Sequence, residues 1–359
     1  MELSANAYSH NLNNINKQAL WRLTILWAFT EATLGGILHA MHIPFTGLFN
    51  GSLAVIFISL ISYYSKEKKT IINSTIIVIL VKAFVSPYTP LTAYFSVFIE
   101  GLMGYILFSF LSYRIAAISL GLLALLFSGI QKIIILTVVF GLTLWESINI
   151  FVNYVVAQFM LSGSLSQNID YSFYLIILYL ILHTVGGIAA GVLAAKLPKK
   201  ISNKIIDING FEKFTFTELE KRKGKKRKRK ILFFKSSGIL FLVFAGAMII
   251  VSLTDDSLDS NIAFHVAMMI VRSVFIVLFW ALIVYPLLKR YFDRFLKKEK
   301  LKFSKEMNEA IALFPQLKSI VYFSWSESKK ESGKIRRMTE FITYSLSLVI
   351  SSNFNKTKI

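Results

Sequence analysis

Apolar residues run along this chain in long blocks separated by short polar stretches. The blocks lie at about 20–41, 46–64, 70–86, 91–111, 115–141 and 171–196, and again at about 231–253 and 263–288. They are close to or above the roughly 20 residues that a helix needs to cross a hydrocarbon core ~30 Å thick. Apolar and polar positions do not alternate within them, as they would in the strands of a membrane barrel. The pattern predicts an all-α, polytopic membrane helical bundle. A six-span N-terminal unit occupies residues 1–200 and a two-span hairpin residues 231–290. A polar connector, 201–230, joins them, and a cytoplasmic amphipathic helical tail follows over 291–359.

Two segments break the simple pattern. The stretch 143–163 is helical in spacing but carries Glu146, Asn149, Asn153 and Gln158. It reads as a re-entrant or interfacial helix, or as the continuation of a long fifth span. In the tail, Met307, Ala310, Ile311, Phe314, Leu317 and Val321 recur at spacings of three and four. That marks an amphipathic helix, which Pro315 should kink. The apolar run 341–350 is too short to cross a membrane.

Charge adds an orientation. Lys17 and Arg22 precede the first block, "SKEKK" follows the second, Arg114 the fourth and "KLPKK" the sixth. "KRKGKKRKRK" (221–230) precedes the seventh block and "KRYFDRFLKKEK" follows the eighth. All fall on one side if 143–163 makes no full crossing, which places both termini in the cytoplasm and the protein in the cell membrane as a multi-pass chain. The overall balance agrees: 55% of residues are hydrophobic, 17% are charged, and the net charge is +20. In a soluble protein "KRKGKKRKRK" would suggest nucleic acid. Beside a span it reads as an orientation signal and an anchor to anionic lipid, with no nucleic-acid partner. The polar N-terminus is not patterned as a cleaved signal peptide.

Candidate chemistry comes from ionisable groups inside the apolar blocks, where each costs at least a few kcal/mol and calls for a partner or a polar cavity. These are Glu31, His39, Lys82, Glu100, Lys132 and His183. Glu31 or Glu100 can pair with Lys82 or Lys132, either to tie helices together or to line a substrate cavity. By depth, His39, His42, Lys82 and Tyr88 fall near the outer ends of their spans. There the loops "HIPFTGLFNG" and "VSPYTPLTAY" bring the proline, aromatic and hydroxyl mix of a small-molecule pocket. His39 and His42, with no cysteine in the chain and no carboxylate at their level, do not make a zinc site. Ala28, Ala32, Gly36 and Ala40 form a small-residue stripe for close helix approach, within the bundle or onto a partner. No phosphate-binding loop, dinucleotide fingerprint or hydrolase motif occurs, so neither an enzyme nor a cofactor is expected.

With six predicted spans and both ends cytoplasmic, residues 1–200 resemble the substrate-binding (S) component of energy-coupling-factor (ECF) vitamin transporters. "AFTEA" (28–32) matches the Ala-x-x-x-Ala docking pattern of that family, and "HIPFTGLF" is similar in position to a substrate-contacting loop. The resemblance implies capture of a vitamin or cofactor precursor at the outer face, with uptake driven by a T component and separate ATPase subunits. It implies docking through Ala28, Ala32 and Gly36, and a cavity drawn from His39, His42, Asn50, Lys82 and Tyr88. Residues 231–359 faintly resemble a T component, but "FSWSESKKESGKIRR" stands where that family carries Ala-Arg-Gly-like motifs. Two other functions fit the same pattern. One is a proton-coupled secondary transporter. The other is a membrane scaffold or signalling protein that recruits a cytoplasmic partner through its basic tail.

Overall fold

The computed structural model describes residues 17–35, 45–86, 89–159, 169–204, 211 and 261–351. Gly36, His39, His42, Tyr88, the basic run 221–230 and the block at 231–253 lie outside the described residues. Helix α1 covers 17–30 and runs into a π turn, Glu31–Gly35. It is followed by α2 (Thr46–Tyr64), α3 (Lys69–Val85), α4 (Leu91–Phe110), α5 (Tyr113–Phe140), α6 (Thr143–Phe159) and α7 (Tyr171–Ser202). The C-terminal part contains α8 (Asn261–Phe279), a π segment (Trp280–Val284), α9 (Tyr285–Ala312), α10 (Phe314–Ser328) and α11 (Lys334–Ser351). No strand occurs among the described residues, and five helices are long and apolar enough to cross a membrane. The chain is an all-α membrane bundle.

Helix α2 is apolar on every face and sits at the centre, packed on α3, α4, α5 and α7. Ala54, Val55, Ile58, Leu60 and Ile61 are fully enclosed. A helix that is hydrophobic all round belongs inside. The outer helices differ: Ile134, Val138, Leu178, Ile181 and Val185 on α5 and α7 are each about half exposed. Those faces are left for lipid.

The closest helix approach joins α5 to α7. A Cβ on Gly121 would lie 2.2 Å from the Gly187 carbonyl oxygen, and one on Gly191 would lie 2.6 Å from that of Ala117. Backbone meets backbone here, which only glycine allows. Within "GGIAAG" (186–191), Gly187 and Gly191 are thus the points at which α7 meets α5.

Helix α5 ends at Gly141, whose φ of 81° is a conformation that L side chains rarely adopt. The chain breaks there, so 143–163 is not an unbroken continuation of the fifth span. Asn149 and Asn153 of α6 face the start of α7. Asn149 Nδ2 donates to Asp170 Oδ1 (2.8 Å), the Ser172 amide donates to Asn149 Oδ1 (2.6 Å), and Asn153 Nδ2 donates to the Ile169 carbonyl (3.1 Å).

Asp170 caps α7 by accepting from the Phe173 amide at 3.0 Å. The Asn149 hydrogen bond, then that amide, then the Ser172 hydroxyl hold its carboxyl below the ordinary carboxylate range. A carboxyl depressed in the folded state stabilises the fold above its unfolded pKa of ~3.9, and that contribution is lost as pH falls through the folded value. Asp170→Asn is therefore expected to lower thermal stability at pH 7, with the gap to wild type closing below about pH 4. Thermal unfolding in detergent across pH reads this. A gap unchanged into strong acid would show that charge plays no part in the cap.

The C-terminal helices pack back on the first bundle and share its core, with Phe303, Met307, Ala310, Leu317 and Ile320 buried in it. Phe292 meets the Tyr94 ring at 4.8 Å, Phe314 meets Phe29 at 5.0 Å, and Arg22 Nη1 donates to the Ile350 carbonyl at 2.8 Å. The expected stripe from Met307 to Val321 is present. It is interrupted at Leu313, where Pro315 opens a new helix rather than bending one.

One charge assignment is corrected. The basic run 289–300 is expected at the same end as "SKEKK" and Arg114. The structure puts Phe292 and Lys300 at the opposite end, beside Tyr94 at the start of α4 and Phe84 at the end of α3. The reason is packing. Phe292 and Leu296, with Phe303 and Met307 beyond them, form an apolar face that the bundle core accepts. Charge counting does not register that face.

Candidate functional site

The ends of α1, α3 and α5 and the starts of α2, α4 and α7 surround a cavity of about 580 Å³. Glu31, Asn50, Lys82, Glu100 and Lys132 all line it. Five residues singled out by sequence, from five different helices, thus converge on one space. His39, His42 and Tyr88 lie outside the described residues.

Lys82 and Glu31 form a direct ion pair, Nζ to Oε2 at 2.7 Å, with both side chains almost wholly excluded from solvent. Of the pairings open to the sequence, this is the one formed. Glu31 begins the π turn, an irregularity that recurs at functional sites in helices. A Cβ on Gly35 would stand 3.0 Å from Asn50 Nδ2 and 3.6 Å from Glu31 Oε2, so Gly35 leaves room for that polar corner. The Lys82 ammonium also stands 6.0 Å from the centre of the Tyr94 ring.

The second carboxylate is arranged differently. Glu100 is buried, with no ion pair or hydrogen bond among the described residues, and it borders Gly51 of α2. Lys132 is exposed at the cavity edge and likewise has no carboxylate within ion-pair distance among the described residues. Among the described residues, the cavity therefore holds one neutralised pair, one carboxyl without an ion-pair partner and one such ammonium.

The remaining wall is part polar and part aromatic. Ser96 Oγ donates to Gln131 Oε1 at 2.9 Å, joining α4 to α5. Phe45 stacks on Tyr179 with ring centres 5.7 Å apart, and Tyr179 lies 4.3 Å from the His183 ring. His183 Nδ1 donates to the Tyr179 carbonyl at 3.0 Å, while its buried Nε2 has no partner among the described residues. Phe45 holds φ 67°, a left-handed conformation that an aromatic residue rarely takes. Such strain persists where surrounding packing enforces it, and it clusters at binding sites. The sequence did not single out Ser96, Gln131 or Tyr179. Ser96 and Gln131 were visible as polar positions inside apolar blocks. Phe45 falls in the loop "HIPFTGLFNG", whose aromatic content the sequence marked, but nothing marked Tyr179 among so many aromatics.

Of the small-residue stripe, Ala28 and Ala32 are among the described residues. Ala28 is fully buried and Ala32 is 6% exposed. Both are covered within this chain, so internal packing accounts for them in this conformation. No group of three or more metal-binding side chains occurs among the described residues. Comparison with protein-family models, with curated proteins and with solved structures returned no match.

Proposed function

We propose that this chain is the substrate-binding subunit of a membrane transporter and holds a small polar molecule in the cavity between α1 and α5. The observation that carries this reading is the convergence of Glu31, Lys82, Glu100 and Lys132 on one cavity inside an otherwise apolar bundle. Its volume is within the usual range for small-molecule pockets. Retaining charge at that depth is expensive unless the charge has a function. That carboxyl and that ammonium, on adjacent helices, suit a ligand with both a cationic and an anionic or strongly accepting group. A vitamin or cofactor precursor is such a molecule, and separate ATPase subunits would power its uptake, as in the S components. With Ala28 and Ala32 already buried, a partner would have to dock on another face or displace the helices that cover them.

The purified chain is expected to carry a small molecule detectable by native mass spectrometry. Glu100→Gln and Lys132→Gln should each weaken its retention about 10- to 100-fold, the scale of a charged hydrogen bond. A wild-type protein with nothing bound, and no solute uptake in reconstituted vesicles with or without ATPase partners, would overturn the proposal.

Glu100, buried and without a partner among the described residues, favours a second reading, a proton-coupled secondary transporter. Uptake by the chain alone, driven by an imposed pH gradient and lost in Glu100→Gln, would establish it in place of the first.

A further inference from the structure

At the opposite end of the bundle lies a second cavity, of about 740 Å³, between the start of α5, the end of α7 and α11. Its wall carries Arg114, Lys196, Lys199, Lys200, Lys204 and Arg336 against a single carboxylate, Glu340. Lys204 pairs with Glu340, and Arg336 pairs with Glu331 at 2.9 Å. Arg114, Lys196, Lys199 and Lys200 have no carboxylate within ion-pair distance among the described residues, and all four are exposed. Among the described residues, four positive charges therefore converge without a paired carboxylate.

Helix ends explain part of this arrangement. Lys199 and Lys200 occupy the last turns of α7, where the helix dipole favours cations. Arg114 has no such reason, because it lies in the first turn of α5, at the positive end of that dipole. Mutual repulsion and an unfavourable helix end both oppose its position, and an anion in the cavity relieves both.

The rest of the wall narrows the anion's identity. Ile118, Val192 and Ala195 supply apolar side chains to the same wall. Next to them on the same two helices, Ile115 and Ile188 are exposed. A cavity that combines exposed cations with apolar side chains, continued by exposed isoleucines on the same two helices, matches a phosphate joined to an acyl chain.

We propose that this cavity binds the phosphate of an anionic phospholipid. Arg114, Lys196, Lys199 and Lys200 contact the headgroup, and the apolar side chains on α5 and α7 receive an acyl chain. The site is separate from the transport cavity and does not depend on it.

The test uses the full chain in mild detergent, supplied with phosphatidylglycerol or phosphatidylcholine and examined by native mass spectrometry. Wild type is expected to retain phosphatidylglycerol at least ~10-fold more than a variant with Arg114, Lys196, Lys199 and Lys200 all changed to Gln. It should show no such preference for phosphatidylcholine. Changing the three lysines to Arg should preserve retention, which separates loss of charge from loss of fold. Neutralising the basic run 221–230 should also preserve it, because retention is assigned to the four named cations. Equal retention by wild type and the four-Gln variant would overturn the proposal, as would loss of retention on neutralising 221–230. Inorganic phosphate or glycerol phosphate competing with the lipid at equal concentration would also overturn it, by identifying a soluble phosphate as the ligand.

Discussion

Gly121→Ala is expected to lose about 3 kcal/mol or more of stability, at or beyond the upper end of ordinary overpacking. The new methyl would meet the Gly187 carbonyl oxygen at 2.2 Å and the Gly191 nitrogen at 2.9 Å. Both atoms belong to a helix backbone that cannot turn aside as a side chain can. Either α5 and α7 move apart or the variant fails to assemble. Gly129→Ala, on the same helix, is the control. Its methyl would stand 3.1 Å from His183 Cγ, a side-chain atom, so a small adjustment absorbs it. Thermal unfolding in detergent should show a large loss for Gly121→Ala and a modest one for Gly129→Ala. Equal effects would mean that the α5–α7 crossing is looser than its geometry indicates.

The second large effect concerns the buried pair. Lys82→Met should destabilise by about 3–5 kcal/mol, because it leaves the Glu31 carboxylate enclosed without its cation. Glu31→Gln should produce a loss of similar origin, by stranding the ammonium. The double variant Glu31→Gln/Lys82→Met should recover most of the deficit, since removing both charges also removes the need to bury them. A full double-mutant cycle reads the coupling directly. A double variant as unstable as the sum of the singles would show that the two residues act independently, against their 2.7 Å contact. If the double variant folds but no longer retains the cavity's ligand, the pair serves binding as well as structure.

The bounds of α2, α3, α4 and α5 fall within about two residues of the expected blocks, because uninterrupted apolarity and flanking Pro90, Ser112 and Gly141 mark helix ends locally. The break after α5 was legible only as an alternative, since a positive φ at one glycine decides it. The eighth block ran past its expected end. Helix continues from α8 through the π segment into α9, and the basic residues that signalled an end instead decorate a longer helix. The site shows the same division. Every charged group lining it was visible as an ionisable residue in an apolar block, but which carboxylate takes Lys82 was not. That choice depends on the depth and rotation of α1 and α3, which are set by contacts such as the Thr24–Ser74 hydrogen bond at 2.8 Å.

By itself, the sequence determined the class of this protein and the chemistry available to it. Burying long apolar blocks requires helices that satisfy their own backbone in lipid, and the few charges among those blocks must meet partners or a cavity. Only the tertiary structure decided the rest. It paired Glu31, not Glu100, with Lys82. It buried Ala28 and Ala32 inside the chain, folded α9 back beside α3, and gathered four cations at the far end of α5 and α7. Each of these outcomes depends on which faces meet across the bundle. That is a balance of packing between residues distant in the chain, which no local pattern of hydrophobic and polar positions encodes.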